Sequence, residues 1–175
     1  MDKLGESIIE FLQGIFGTGE AAQYIIVFLI SLLPGVGGPS TTIPLGVFAL
    51  GLPIPAVTLI CIIGNIIPVP FIIFFIRKIF DIMRKISTRL GKIADKFEEK
   101  AKSRASRLEK GAFVGLFIFV AIPIPLPGMG AWTGALIAAI LNIRLKVAFP
   151  AILLGVLVAS LITIGVVLGI ITALD

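Results

Sequence analysis

Histidine is missing from this 175-residue chain, and cysteine occurs once, at Cys61. The first absence excludes a histidine proton relay, a histidine metal site and any Ser-His or Cys-His catalytic pair. The second excludes an intrachain disulfide, and a lone Cys in apolar sequence reads as a small packing residue of a helix. Charge is scarce as well. Asp, Glu, Lys and Arg make up 14% of residues, where a soluble domain carries about a quarter. No Asp or Glu lies inside any long apolar segment, which removes the titrating carboxylate that proton-coupled carriers use. With no His, no paired membrane carboxylates and no metal-ligand cluster, the expectation is a non-enzyme with no cofactor and no metal.

What is present is hydrocarbon. Residues of the apolar classes make up 58% of the chain, and the reading is an all-α integral membrane protein. Asp2, Glu6 and Glu10 stand where a secretory signal would be basic, so none is expected there. Leu4, Ile8, Phe11 and Ile15 recur at helical spacing. Residues 3–16 are therefore expected to form an amphipathic helix, lying in the interface or packed on the bundle.

Twelve of the 15 basic residues fall between Arg77 and Lys110, a segment that nets +7. Between membrane segments such a patch marks a cytoplasmic loop rather than a nucleic-acid site. Within it Ile79, Met83, Ile86, Leu90, Ile93 and Phe97 recur by threes and fours, the pattern of a long helix with one apolar stripe. The expected 77–110 helix lies on the cytoplasmic membrane surface against anionic lipid, or pairs with another protomer in a coiled coil.

Two proline/glycine breaks interrupt sequence that should otherwise run as helix. The first is Pro34-Gly35-Val36-Gly37-Gly38-Pro39-Ser40-Thr41, and the second is Pro127-Gly128-Met129-Gly130-Ala131-Trp132-Thr133-Gly134. They register at an offset of 93, and an offset of 91 then pairs Gly51 with Asn142 and Gly64 with Gly155. Lipid cannot satisfy broken backbone, so such breaks survive only where protein or a water-filled cavity surrounds them. Paired interruptions in two halves point to a transporter-like site. Residues 54–76 and 147–174 are long enough to cross a bilayer core, whereas 21–33, 40–52, 111–122 and 129–142 are too short.

Two topologies fit these lengths. In one, each broken segment is a full crossing and the chain spans four times. In the other, each is a re-entrant hairpin, and only 54–76 and 147–174 cross. The second places the 77–110 segment, Arg144 and Lys146 together in the cytoplasm, with the N-terminus outside. It is preferred, and it divides the chain into repeat 1 (20–76), the basic helix (77–110) and an inverted repeat 2 (111–174).

The candidate site gathers the breaks and their polar neighbours. Pro34, Gly35, Gly37 and Gly38, with Pro127, Gly128 and Gly130, free the backbone. The half-helix N-termini that follow would present N–H groups and a positive dipole to an anionic head group. Ser40, Thr41, Thr42 and Thr133 would cap those helices or bond a ligand. Asn65 is a polar residue of the first long span. Trp132 would pack on the second turn or line a pathway. Arg144 and Lys146 would steer a phosphate or anchor the helix. The expected partners are membrane lipids and a lipid or hydrophobic small-molecule cargo.

At these residues the chain resembles a known family. The run from Ala121 to Ala138, AIPIPLPGMGAWTGALIA, is similar to the signature of the small multidrug export proteins. Ile43-Pro44-Leu45-Gly46 followed by Gly51-Leu52-Pro53 resembles its first-half motif. That family in turn resembles the DedA/VTT superfamily, which implies paired inverted re-entrant hairpins and carriage or scrambling of lipids. Bacterial members carry a Glu-x-Arg pair before Ile-Pro, where this chain has Gly38 and Ser40. The resemblance therefore implies the fold without the charged groups of a proton-driven carrier. Export of hydrophobic drugs or cations is the alternative it leaves open, and a scaffold recruiting partners through the basic helix is a third.

Overall fold

The computed structural model describes residues 3–86, 111–123, 130–141 and 143–174. Pro127, Gly128, Asn142 and residues 87–110 of the basic segment lie outside the described residues. All regular structure among the described residues is helical. In chain order the helices are α1 (Lys3–Phe16), α2 (Glu20–Leu32), α3 (Pro39–Pro44), α4 (Ile54–Ile66), α5 (Pro68–Ile86), α6 (Gly111–Ala121), α7 (Ala131–Ile140) and α8 (Leu145–Leu174).

The boundaries follow from local chemistry. Leu33 ends α2 in an extended conformation, φ −74° and ψ 133°, as the residue before a proline must. Pro39 and Pro55 sit in the first turns of α3 and α4, where a missing N–H costs nothing. Pro44 ends α3, because it cannot donate to the helix ladder. The chain then widens into a π segment, Leu45–Ala49, closed by Gly51 at φ +67°. Ile67 joins α4 to α5 with helical angles and donates to Ile63 O at 3.1 Å. Ile54–Ile76 therefore reads as one 23-residue span, and α8 supplies a second of 30 residues.

Their outward faces are apolar, with Phe71 70%, Phe74 66% and Leu161 67% exposed. Such a surface suits lipid and not water. The protein is an all-helical membrane protein. On α1, Ile9 is buried with Leu12 against the core of the first half, while Phe11 and Ile15 face outward.

α2 packs on α4 within the first half, and short arms cross between halves where α3 packs on α8 and α7 packs on α5. The long helices run antiparallel. Val57 and Cys61 of α4 share a core with Val167, whereas Val69, Ile72 and Ile73 of α5 share one with Ala148, Ala151 and Ile152. The C-terminal part of α5 and the N-terminal end of α8 therefore lie at the same end of the pair. Matching glycines mark close approaches of helices in the two halves. A Cβ on Gly64 would overlap the Ser31 hydroxyl and lie 3.4 Å from Phe28 O. One on Gly155 would lie 2.7 Å from Val120 Cβ and 3.1 Å from Phe117 O.

Candidate functional site

The first break folds back so tightly that a hydrogen is all that fits at residue 37. A Cβ on Gly37 would lie 2.5 Å from Ser31 O, 2.6 Å from Ile30 O and 2.8 Å from Leu33 O. Gly35, at φ +83°, makes the reversal, and the Gly37 N–H donates to Leu33 O at 3.0 Å. The loop thus sits over the carbonyl end of α2, where helix carbonyls lack intrahelical partners.

Asn65 reaches this loop from α4. Its Nδ2 donates to Gly37 O at 2.6 Å and to Cys61 O at 3.0 Å, and lies 3.5 Å from Cys61 Sγ. The amide carries out of the break a carbonyl that neither lipid nor helix would satisfy. Asn65 is only 2% exposed. Ser31 is buried beside it in the fold and donates to Phe28 O at 2.7 Å. Thr42, fully buried, finds only the Cys61 thiol beside its hydroxyl, a weak partner. The Thr58 hydroxyl is buried with no partner among the described residues.

The second break comes to the first. Gly130, at φ +130°, opens α7, and one turn is closed by Gly134 N–H donating to Gly130 O at 3.0 Å. Trp132 then places its indole Nε1–H 3.1 Å from Leu32 O. Leu32 is the last residue of α2, so the indole caps a carbonyl that the helix end leaves open.

The two halves differ at their matching positions. Val120 takes the place of Ser31 against the glycine, and the offset of 91 sets Ile152 against Cys61 and Val156 against Asn65. All three are buried and apolar. At these matched helix positions the polar groups therefore belong to the first half, and the second half's polar contribution to the breaks is the Trp132 indole. On α8, the buried Ser160 and Thr163 donate to the carbonyls four residues back, both at 2.8 Å.

Among the expected site residues, the structure brings Gly35, Gly37, Thr42, Asn65 and Trp132 together at the meeting of the breaks. Pro34 and Gly38 lie on the same loop. Ser40, Thr41 and Thr133 fall in the first turns of α3 and α7, but they do not cap them. The N-caps are Gly38 and Gly130, with no side-chain cap bond, and Gly38 O accepts the N–H groups of Thr41 and Thr42. The α3 N–H groups that the sequence reading aimed at a head group are in part satisfied by backbone. Arg144, just before α8, and Lys146, in its first turn, are exposed, and Lys146 lies about 9 Å along the axis from the Ile152 level that contacts Gly134. Cys61, read as packing alone, joins the polar group. The signal for it was the spacing of Thr58, Cys61 and Asn65, which puts all three near one face of α4.

The site contains hydroxyls, a thiol, an amide, an indole N–H and backbone, and among the described residues no carboxylate. Among the described residues no cluster of His, Cys, Asp or Glu could hold a metal. It can offer neutral hydrogen bonds inside an apolar surround. The family model described as "Putative small multi-drug export protein" matches residues 40–162, well over half of the chain. The chain belongs to that family. The match to the small multi-drug export family starts at Ser40, in the last two residues of the first break, and takes in the whole of the second. No curated protein and no solved structure matches the chain.

Proposed function

We propose that this member of the small multi-drug export family carries an amphipathic lipid, a phospholipid or polyprenyl phosphate, between membrane leaflets. It is not an enzyme on this reading. The observation that carries the proposal is the Trp132 bond to Leu32 O, which holds two backbone breaks against each other inside an apolar protein. Broken helices meeting there form the kind of site that carriers use. The chemistry of the site favours a lipid over a cationic drug. A carboxylate within the membrane would favour a hydrophobic cation by pairing with it, and the polar groups at the breaks are neutral. The family's printed name favours the second reading, export of small drugs.

We also propose two inverted repeats, each a re-entrant hairpin followed by a long span. Antiparallel long helices support this arrangement, because four full crossings would run them in the same direction. The exchange of short arms between halves and the matched Gly64 and Gly155 contacts support it too. The basic 77–110 segment is then cytoplasmic and the N-terminus outside. In a Cys61→Ala background, single cysteines at Lys85 and Lys146 should label from the cytoplasmic side only, and one at Ser7 from outside only. Labelling of Lys146 from outside would restore the four-crossing topology.

Transport itself is tested in vesicles containing a head-group-labelled fluorescent phospholipid. Wild type should speed its movement between leaflets. Trp132→Phe, which keeps the ring and loses the N–H, should slow it by about tenfold, the weight of one buried hydrogen bond. No acceleration by wild type, with efflux of an ethidium-like cation instead, would replace the lipid reading with the drug reading.

A further inference from the structure

Away from the breaks, an open groove of about 460 Å³ runs between the long helices. Ile62, Ile63, Ile67 and Phe71 line it from α4 and α5, and Phe149 and Leu153 line it from α8. All of its walls are apolar, and none of the break residues takes part. The antiparallel arrangement gives the groove a direction. Phe71 and Phe149 stand at one end, Ile62 and Leu153 at the other.

Beyond the Phe71 and Phe149 end, each helix presents an exposed lysine. Lys78 follows Phe71 by seven residues, two turns along the same face of α5. Lys146 precedes Phe149 by three, one turn along the same face of α8. Both therefore lie past the same mouth of the groove. The chain around Lys78 also carries Arg77, Arg84 and Lys85 against Asp81 alone, so the mouth is basic.

We propose that this groove is a binding site for an anionic diacyl phospholipid, its acyl chains in the groove and its phosphate held by Lys78 and Lys146. A wall with no hydrogen-bonding group suits a hydrocarbon chain, and two cations at one end suit a phosphate at the level of the head groups. A second copy of the chain fits less well. Packed here about an axis along the membrane normal, it would set four lysines together at one level. The site lies apart from the breaks and rests on the membrane setting rather than on transport, so its test reads lipid binding.

The experiment is native mass spectrometry of the full-length chain in detergent, titrated with phosphatidylglycerol or phosphatidylcholine of the same acyl chains. Phosphatidylglycerol should bind at least tenfold more tightly. Replacing Lys78 and Lys146 together by Gln should weaken it on the order of thirtyfold, at about fivefold per surface cation. Leu153→Trp, which fills the groove from a half-buried wall position, should lower binding of both lipids. Inorganic phosphate at millimolar concentration should not compete. Equal binding of the two lipids would overturn the proposal, as would phosphatidylglycerol binding untouched by the lysine changes. So would competition by free phosphate, or a disulfide-linked dimer through Ile67→Cys that excludes lipid.

Discussion

Alanine at Gly37 should lower the melting temperature by roughly 10 °C, because forcing a methyl into a filled site costs about 3 kcal/mol. The added carbon would meet three backbone carbonyls, Ser31, Ile30 and Leu33, all within 2.8 Å. A clash with a flexible side chain can be relieved by a rotamer change, but a clash with helix-end backbone cannot. Either α2 frays or the loop lifts, and a lifted loop parts Gly37 O from Asn65. Gly165→Ala and Gly169→Ala are the controls. Both glycines lie on α8 with nothing within 4 Å of an added Cβ, so alanine there should be neutral or should raise stability by about 0.5–1 kcal/mol. A thermal melt of the three variants in one detergent checks the difference. An unchanged midpoint for Gly37→Ala would mean that the loop is free to move and does not hold the break.

Asn65→Leu should have the second large effect, this time on stability and transport together. Leucine has the branched outline and heavy-atom count of asparagine, though it is bulkier, and it donates nothing. Gly37 O would lose its 2.6 Å partner in a site that neither water nor lipid serves. A buried carbonyl left unpaired costs about 1–3 kcal/mol. The break would then relax toward whatever donor it can find, the Thr42 hydroxyl or an entering ligand. Lipid movement in vesicles should fall by more than the loss of folded protein accounts for. If Asn65→Leu melts lower but the surviving protein transports at the wild-type rate, Asn65 is a strut and not part of the pathway.

Much of this architecture was legible in the sequence because its causes are local. Proline and glycine set where helices stop, so α2, α3, α6 and α7 fall close to the apolar segments expected at 21–33, 40–52, 111–122 and 129–142. The two long spans were set by length alone. What could not be read was which break carbonyl meets which side chain. Asn65 and Gly37 are 28 residues apart, and Trp132 and Leu32 are 100 apart. Pairings at that distance depend on how helices pack, and no spacing rule reports them. The caps were misjudged for a related reason. Ser40, Thr41 and Thr133 are good capping residues, but Pro39 fixes the start of α3 one residue earlier. The Cap position is thereby left to Gly38.

The unequal chemistry of the two halves bears on which way the molecule faces at rest. On the proposed inverted-repeat reading, identical halves would give inward- and outward-open forms the same energy, and each would hold half of the molecules. Here Ser31, Cys61 and Asn65 on one side stand against Val120, Ile152 and Val156 on the other, which lifts that degeneracy. A difference of one net hydrogen bond, about 1 kcal/mol, biases such a pair about fivefold. On the proposed reading the empty carrier therefore waits preferentially on one face of the bilayer. Exchanging Asn65 and Val156 should turn that preference around.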